Sequence, residues 1–423
     1  MASSQTNAAS GPGGAQPVLT IEKLVHGGLG LARWEGRVVL APFVLPGETV
    51  RLRIAGERPG RLLGRLQEIQ KPAAGRVAPP CPYFQRCGGC MLQHADYALQ
   101  LELKRAILAE TLRRIGKISP PEPIAVLAGP PWDYRNRVQF HLDGRRIGFF
   151  QPGSHRLCPI ARCLIASPAI NRTLAALAEM LPDTRFPRFL RSLEVFTNER
   201  QVQLNVTAAA GGRVVARRFF EWCAERIPGV CDGALDYEAG GETYRVGYRS
   251  FFQVNRFLIE PLAACALEDA QGETALDLYA GVGLFSLPLA RRFRHVTAVE
   301  AGPAARDLEF NAARAGRLIR VERSAAERYL AGLNAPPDFV LADPPRAGLG
   351  RRATAELLRL KPPSLTLVSC DPATLARDLA ELVAGGYRLE RLALVDLFPQ
   401  THHLEAVAAL AAGTHLHTHV DTM

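Results

Sequence analysis

The chain has 423 residues, 48% of them hydrophobic and 22% charged, which excludes a disordered protein and suggests two or three domains. No apolar run approaches the ~20 residues that span a bilayer, and the first residues lack the basic and hydrophobic regions of a signal peptide, so a cytoplasmic protein is expected. The net charge of +10 favours a polyanionic partner such as nucleic acid.

The first domain is predicted to be a small β-barrel. Residues 1–16 are rich in Ala, Ser and Gly without periodicity, which predicts a disordered tail. In residues 17–72, short apolar runs alternate with glycine turns, a pattern typical of an all-β, OB-like barrel. Nine Lys and Arg residues between positions 18 and 71 outnumber five Glu residues. A solvent-exposed β surface without a ligand can have a similar composition. We favour the interpretation that these basic residues contact RNA phosphates.

Three of the nine cysteines, Cys81, Cys87 and Cys90, lie within a ten-residue segment and predict a metal site. An odd number of cysteines in a chain expected in the cytoplasm argues against a disulfide framework. A site of four thiolates needs one more ligand, for which Cys158 and Cys163 are the nearest candidates. Four thiolates would suit zinc or a four-iron cluster equally well.

Residues 73–255 are predicted to form a mixed α+β central domain that carries this site. An apolar stripe predicts a helix over residues 94–117, and apolar segments predict strands within residues 132–140, 146–150 and 193–206. Arginines alternate there with aromatic residues: Arg135, Arg137 and Arg146 with Tyr134, Phe140 and Phe149. The alternation fits a clamp for single-stranded bases as well as it fits half-buried strands.

Residues 256–423 predict an α/β, Rossmann-like domain. A short apolar strand ends near Leu278 and is followed by Gly281 and Gly283, where side chains would keep the backbone from a ligand. An amphipathic helix is expected next. The following strand ends in Glu300, about twenty residues on, as the binding of ribose hydroxyls requires. We therefore interpret this loop as a nucleoside-binding loop rather than as one whose glycines only allow close packing.

Two later strands end in Asp343 and Cys370, and Glu405 leads another apolar strand. Because ligands of open α/β sheets bind at the carboxyl ends of strands, these residues are expected to converge with Asp277 and Glu300. A lone Cys after a strand is usually a small buried hydrophobe, but directly before Asp-Pro at such an edge we interpret Cys370 as a nucleophile. Burial should raise the pKa of Glu405 towards that of a general base.

These motifs, with residues 42–48 ahead of a basic strand, resemble the RNA 5-methyluridine methyltransferase family. The resemblance is to the iron–sulfur, TRAM-bearing branch that modifies bacterial 23S ribosomal RNA, and it runs from about residue 18 to residue 412. It implies an RNA substrate, S-adenosylmethionine as a cofactor and a four-iron, four-sulfur cluster. The implied cluster ligands are Cys81, Cys87, Cys90 and, by its position, Cys163 rather than Cys158.

The resemblance also implies roles at the active site. The implied cofactor contacts are Gln253, Tyr279, Leu284, Glu300 and Asp343, the implied nucleophile is Cys370 and the implied base is Glu405. Leu284 departs from the family, which often has Asn at this position. In the family's reaction a thiolate adds to carbon 6 of uracil, carbon 5 is methylated, and a base then removes the carbon 5 proton.

Two alternatives remain open from the sequence alone. A tRNA substrate would need the same catalytic residues with different RNA contacts. A non-catalytic RNA-binding or redox-sensing protein would use the cluster and would not need Cys370 or Glu405. The protein is expected to be a monomer without membrane contact. His415, His417 and His419 could ligate a metal, but a frayed tail is the preferred interpretation.

Overall fold

The computed structural model describes residues 14–211 and 217–413. Most of the predicted N-terminal tail and the three C-terminal histidines, His415, His417 and His419, lie outside the described residues. The chain divides into two compact units: one contains the described residues through Leu103 with Gln400–His402, and the other contains Lys104–Pro399 and the described residues from His403. No helix in residues 14–211 or 217–413 is long and apolar enough to cross a bilayer.

The first unit is built on a six-stranded sheet. Its strands are β1 (Val18–Thr20), β2 (Lys23–Val25), β3 (Leu29–Trp34), β4 (Arg37–Ala41), β5 (Thr49–Arg58) and β6 (Arg61–Lys71), in the order β1-β5-β6-β4-β3-β2. The outer strands β1 and β2 follow each other closely in the chain, so the sheet curls back on itself. Its inner face forms one apolar core that includes Ile21, Val39, Val50, Leu52 and Leu62. The all-β architecture agrees with the prediction.

Residues 14–16, which composition assigned to the disordered tail, extend this sheet. The Gly14 amide donates to the Ile54 carbonyl over 3.2 Å, and the Ile54 amide donates to the Ala15 carbonyl over 2.9 Å. Ala15 also packs against the barrel core. Composition could not reveal this pairing, because backbone hydrogen bonds along β5 need no side-chain periodicity.

A buried ion pair ties the segment after β6 to the sheet. Glu48 is fully buried and accepts hydrogen bonds from Arg76 Nε over 2.5 Å and Nη2 over 2.9 Å. The amides of Leu45 and Ala73 donate to the same carboxylate. Burial opposes ionisation, but these donors hold the pKa of Glu48 below its ordinary value. This segment belongs to the first compact unit, which includes the described residues through Leu103 and Gln400–His402.

The helix predicted over residues 94–117 is present as α1 (Tyr97–Thr111), extended by a π-helical turn, Leu112–Gly116. Asp96 caps its first turn, since the Leu99 amide donates to Asp96 Oδ1 over 2.8 Å. Lys117 ends it in the left-handed region, at φ 55°. The boundary between the two compact units falls inside α1.

After the end of α1 and the π-helical turn, the second unit continues with β7 (Ala125–Leu127) and a separate six-stranded sheet. The strands of that sheet are β8 (Arg137–Asp143), β9 (Arg146–Phe150), β10 (Leu157–Pro159), β11 (Leu190–Thr197), β12 (Val202–Ala209) and β13 (Val230–Cys231), in the order β10-β9-β8-β11-β12-β13. Its helices are α2 (Pro168–Met180) and α3 (Arg217–Arg226). On β8, Val138, Phe140 and Leu142 are buried, so one face of this central sheet packs on the core.

Two aromatic residues of the proposed base clamp belong to that core. Tyr134 and Phe140 are fully buried and cannot stack on a base. The strand begins at Arg137 rather than at residue 132, because the Asn136 amide donates to the Val254 carbonyl outside the sheet. At Tyr134 and Phe140 the alternation therefore reflects half-buried strands.

A hairpin, β14 (Leu235–Ala239) and β15 (Glu242–Val246), and the helix α4 (Ile259–Ala266) lead into the largest sheet. Its remaining strands are β16 (Thr274–Leu278), β17 (His295–Val299), β18 (Ile319–Glu322), β19 (Phe339–Ala342), β20 (Ser364–Ser369), β21 (Tyr387–Val395) and β22 (Glu405–Ala412). The intervening helices are α5 (Ser286–Leu289), α6 (Ala305–Arg314), α7 (Ala326–Ala331), α8 (Gly350–Leu360) and α9 (Pro372–Ala384). The predicted amphipathic helix after Gly283 is thus only four residues long.

The strand order of this sheet is β18-β17-β16-β19-β20-β22-β21-β7. The strands from β18 to β20 in this order are parallel, and the direction of the connections reverses between β16 and β19, which opens a crevice at their carboxyl ends. β22 is antiparallel to both neighbours and brings its amino end, Glu405, to the same edge. β7, from the predicted central domain, extends the sheet beside β21. The Rossmann-like α/β prediction is confirmed.

Candidate active site

Asp277 lies within β16 and is fully buried at the switch between β16 and β19. Its Oδ2 accepts a short hydrogen bond from Ser286 Oγ, while Oδ1 has no hydrogen-bond partner among the described residues. Burial raises the pKa of Asp277 to about 7, the Ser286 bond opposes this, and the charges of Asp343 and Glu300 add to it. An unpaired carboxylate oxygen at this point suits a ligand that carries hydrogen-bond donors or positive charge.

The glycine loop after β16 is held by Glu300, the residue that follows β17. Glu300 Oε2 accepts a hydrogen bond from the Gly281 amide over 2.9 Å, and Oε1 accepts one from the Gly302 amide over 2.5 Å. Gly281 has φ 56°, and a Cβ at this position would meet no atom within 4 Å in the described part of the chain. The backbone at Gly281 is therefore open to a ligand, as predicted, whereas a Cβ at Gly283 would lie 2.7 Å from the Leu308 side chain, so Gly283 serves packing.

The other three predicted cofactor contacts have different surroundings. Tyr279 adopts φ 61°, rare for a residue with a side chain, and burial with the charges of Glu327 and Asp378 raises its pKa to about 12. Leu284 packs in the apolar core, and its carbonyl accepts a hydrogen bond from the Tyr244 hydroxyl over 3.3 Å. Gln253 is buried. The Leu284 side chain thus serves the core, and this loop residue can offer a ligand only its backbone.

Cys370 and Glu405 are brought together by neighbouring antiparallel strands. Ser369 on β20 pairs with Ala406 on β22, so the next residues outward are Cys370 and Glu405. Asp343 follows β19, and its amide donates to the Leu278 carbonyl at the end of β16 over 3.4 Å. The nucleophile, the base and the strand-end carboxylates predicted from the sequence therefore share one edge of the sheet.

The charges at this edge oppose formation of the Cys370 thiolate. Burial and the neighbouring carboxylates of Glu405 and Asp343 raise the pKa of Cys370 to about 11, and Arg346 counteracts them. Burial and Asp343 also raise the pKa of Glu405 well above its ordinary value, and Arg346 again opposes the shift. Burial raises the pKa of Asp343 to about 7. Protonation of either carboxyl group, or a bound cation, would make the thiolate easier to form.

The start of α9 favours the thiolate. Asp371 caps this helix, accepting hydrogen bonds from the Ala373 amide over 3.0 Å and the Thr374 amide over 2.9 Å. Cys370 directly precedes the cap of this 13-residue helix. The positive end of the helix dipole stabilises a nearby thiolate, as Arg346 does.

The sequence reasoning missed a buried ion pair close in the chain to Glu405. Lys104 Nζ donates to Asp396 Oδ1 over 2.6 Å and to the Phe398 carbonyl over 2.9 Å, and both charged side chains are fully buried. Asn255 Nδ2 donates to the Leu397 carbonyl over 3.2 Å. These bonds fix the chain as it leaves β21. A lysine within an otherwise apolar stripe of α1 was the available signal.

The cysteine motif lies in the first unit and is made of turns. The Cys87 amide donates to the Tyr83 carbonyl over 2.8 Å, and the Gly89 amide donates to Cys87 Sγ over 3.4 Å. The Phe84 ring packs edge-on against Phe43 at 5.3 Å, which anchors the motif on the barrel. Among the described residues, no three or more His, Cys, Asp or Glu side chains are grouped so that they could hold a metal ion.

The two candidates for the fourth ligand lie in the second unit and differ in burial. Cys158 is a buried residue of β10. Cys163 is half-buried in an irregular segment, where its amide donates to Asn171 Oδ1 and its carbonyl accepts from Asn171 Nδ2, each over 2.9 Å. Cys163 is the more accessible of the two residues, and its role as the fourth ligand stays a prediction.

Comparison with known proteins identifies the family. A family model described as tRNA (Uracil-5-)-methyltransferase matches residues 234–412. An RNA methyltransferase of Aquifex aeolicus is 33% identical over 414 residues, covering 93% of this chain and 97% of the relative. The 23S rRNA (uracil(1939)-C(5))-methyltransferase RlmD of Pseudomonas aeruginosa is 34% identical over 430 residues, covering 95% of each chain. The chain belongs to the RNA uracil-5-methyltransferase family.

This uracil-5-methyltransferase also has a solved structural relative. The crystal structure of Pyrococcus abyssi tRNA (uracil-54, C5)-methyltransferase in complex with S-adenosyl-L-homocysteine matches with a TM-score of 0.75 and 24% identity, covering 94% of this chain and 100% of the other. At this identity the likeness concerns the fold. Family membership makes the protein an S-adenosylmethionine-dependent enzyme acting on RNA, which sets aside the non-catalytic alternative.

Proposed function

We propose that this enzyme methylates carbon 5 of one uridine in 23S ribosomal RNA, in the cytoplasm, through a covalent bond between Cys370 and carbon 6 of the base. The observation that carries this proposal is the antiparallel register of β20 and β22, which sets Cys370 beside Glu405 at the switch-point edge. The ribosomal substrate is supported by the 34% identical 23S rRNA methyltransferase of Pseudomonas aeruginosa, matched over 95% of each chain.

The reaction uses Cys370 before methyl transfer and Glu405 after it. Carbon 5 of uracil is a weak nucleophile, and addition of the Cys370 thiolate to carbon 6 moves electron density onto it. Once carbon 5 carries the new methyl group, Glu405 removes the carbon 5 proton. Those electrons restore the ring double bond and expel the thiolate. The raised pKa of Glu405 makes it a stronger base than an exposed carboxylate.

S-adenosylmethionine fits the crevice between β16 and β19. When bound, it supplies an electrophilic methyl group on a positively charged sulfonium. The unpaired Oδ1 of Asp277 and the carboxyl groups of Glu300 and Asp343 give the crevice the acidic character that a cation needs. The residues that we propose to hold it are Gln253, Tyr279, Leu284, Glu300 and Asp343, with Leu284 acting through its backbone.

A four-iron, four-sulfur cluster held by Cys81, Cys87, Cys90 and Cys163 is part of the proposal. The donor set suits it, because all four are cysteines and the Gly89 amide already donates to the Cys87 sulfur. Because the described side chains form no recognised metal-binding group, the proposal rests on the type and spacing of the cysteines. When bound, such a cluster would supply a structural link or an electron-transfer centre.

The N-terminal barrel is proposed to be a TRAM domain that binds RNA. Its six-stranded sheet and its surplus of basic residues support contact with the phosphate backbone. We also propose the domain division predicted from the sequence, with the methyltransferase domain beginning near residue 256. A monomer is sufficient for the proposed chemistry, since Cys370 and Glu405 come from one sheet.

A tRNA substrate is the second candidate. It is favoured by the family model, which is described as a tRNA (Uracil-5-)-methyltransferase, and by the fold of the Pyrococcus abyssi tRNA enzyme. Mapping 5-methyluridine in ribosomal RNA and tRNA from a strain lacking the gene separates the two. Loss of one modification in 23S ribosomal RNA is the expected result, restored by the wild-type gene and not by a Cys370→Ala allele. Loss only in tRNA would establish the second candidate.

A further inference from the structure

The central sheet carries a cleft on the face away from its core. It measures about 670 Å³ and is lined by β8, β9, β10, the turn between β9 and β10, and Arg191 of β11. Pockets of roughly 300–1,000 Å³ accommodate small ligands or single nucleotides. The cleft is built because β10 approaches β9 closely at Gly148, where a Cβ would lie only 2.1 Å from the Cys158 carbonyl oxygen. Only glycine allows this approach.

An aromatic stack forms the floor of the cleft. The rings of His141 on β8 and Phe150 on β9 are parallel within 12°, with centroids 3.6 Å apart. His155, in the following turn, meets Phe150 edge-on at 5.3 Å. Burial and then the neighbouring His155 lower the pKa of His141, which favours its neutral imidazole. His141 and Phe150 are only partly buried, and aromatic rings with an accessible face are the surfaces on which unpaired bases stack.

Positive charge surrounds this stack. Arg146, Arg156 and Arg191 line the cleft, and Asp143 is its one acidic lining residue among those described. Asp143 is bonded to Arg146, which leaves Arg156 and Arg191 without a carboxylate in the lining. Arginines beside stacked aromatic rings match a chain that presents phosphates and exposed bases together. A duplex presents its phosphates without exposed base faces and does not match.

We propose that this cleft binds a single-stranded stretch of the RNA substrate, with a base against the His141–Phe150 stack and phosphates at Arg146, Arg156 and Arg191. The proposal rests on the proposed function only in that the substrate is RNA. It does not depend on the choice between ribosomal RNA and tRNA, or on the covalent step. The cleft would hold a nucleotide other than the one being methylated.

The test measures binding of a single-stranded RNA of about twelve nucleotides to the full-length protein by fluorescence anisotropy, over a range of salt concentrations. The double variant Arg156→Glu/Arg191→Glu should bind at least ~10-fold more weakly, with a shallower dependence on salt. The matched control Arg105→Glu/Arg114→Glu makes the same charge change on exposed residues of the α1 region and should bind nearly as wild type. Equal loss in both double variants would mean a general charge effect and would overturn the proposal.

The stacking contribution is tested at Phe150. Phe150→Ala should weaken binding by roughly 5- to 150-fold, the range of one stacked base, and Phe150→Trp should restore it. Methylation assays should show a higher KM for RNA with kcat nearly unchanged, since Phe150 lies in a different sheet from the strands that carry Cys370 and Glu405.

Photocrosslinking of wild-type protein to 4-thiouridine RNA should label the peptide spanning residues 141–156. Absence of that label would contradict the proposal even if Phe150→Ala folds poorly. A wild type that binds through the cleft yet methylates no ribosomal RNA would overturn the proposed function alone.

Discussion

Cys370 and Glu405 are direct neighbours across an antiparallel pair of strands, one residue beyond the Ser369–Ala406 pair. In the proposed reaction the two residues act on opposite sides of methyl transfer, so their variants should fail at different steps. Cys370→Ala cannot add to carbon 6, and neither methyl transfer nor a covalent RNA adduct is expected. Glu405→Gln keeps the nucleophile and lacks the base. It should therefore accumulate a methylated protein–RNA adduct that survives a denaturing gel.

The control for this experiment is Asp343→Asn, because Asp343 is the other strand-end carboxylate beside Glu405. This variant should lose affinity for S-adenosylmethionine without trapping RNA. Normal turnover by the Glu405 variant, or an adduct with the Asp343 variant, would show that the base has been assigned to the wrong residue.

The thiol of Cys370 should be slow to alkylate at pH 8, since burial and then Glu405 raise its pKa to about 11. Glu405→Gln removes one cause of the shift and should speed alkylation, by about tenfold for each unit by which the pKa falls. Arg346→Gln removes the opposing charge and should slow it. Mass spectrometry of the Cys370 peptide after iodoacetamide treatment measures both rates. Glu381→Gln, at an exposed position on α9, serves as the control and should leave the rate unchanged.

Asp277→Asn should stabilise the ligand-free protein at neutral pH. The folded pKa of Asp277 is about 7 against an ordinary value of 3.8, so the folded state becomes less stable as pH rises between these values. The neutral amide avoids this loss, and a gain of about 1–3 kcal/mol in the free energy of unfolding is expected at pH 8. The gain should vanish near pH 4, and affinity for S-adenosylmethionine should fall.

Asp338→Asn is the opposite-sign control for that experiment. Hydrogen bonds from the Thr274 amide and hydroxyl lower the pKa of Asp338. Its ionised form therefore stabilises the fold at pH values above the ordinary pKa of an aspartate. Its Asn variant should be less stable at pH 8 and differ less at pH 4. If Asp277→Asn is also destabilising at pH 8, the ionised Asp277 carboxylate stabilises the fold, and the prediction that its burial costs stability is wrong.

Lys104→Ala should cost about 3–5 kcal/mol in the free energy of unfolding, because it leaves the buried Asp396 carboxylate without its partner. The double variant Lys104→Met/Asp396→Leu removes both charges and should recover much of that loss. Arg217→Ala breaks the exposed pair with Glu221 and should cost less than about 0.5 kcal/mol. Urea unfolding monitored by circular dichroism compares the three. Equal costs for the two single substitutions would mean that the buried pair contributes no more than an exposed one.

Anaerobically purified protein should be brown and contain about four iron atoms and four sulfides per chain. Cys87→Ser or Cys163→Ser should bleach it, since each removes a proposed ligand. Cys158→Ser is the matched control, because Cys158 is a buried residue of β10, and this variant should stay brown. Stoichiometric zinc in a colourless, active protein would contradict the cluster.

The strand-end residues of this site could be predicted because short apolar runs that end in Asp, Glu or Cys are local patterns. Convergence of Asp277, Glu300, Asp343 and Cys370 then follows from the general rule for parallel sheets. The Lys104–Asp396 pair could not be predicted, since its residues are 292 positions apart and no local pattern links them. The alternation around Phe140 left two interpretations open for a related reason: arginines beside aromatic residues look the same in a base clamp and in a half-buried strand.

The antiparallel direction of β22 could not be predicted from the sequence either. It has a consequence for how enzymes with this arrangement can diversify. If β22 ran parallel to β20, Ala412 would stand beside Cys370, and Glu405 would lie about 23 Å away at the far edge of the sheet. With the strand reversed, the spacing between Cys370 and Glu405 is set by the backbone ladder alone. Loops and accessory domains can therefore change the recognised RNA while the distance between the proposed nucleophile and base stays constant, so we expect substrate choice and chemistry to evolve independently.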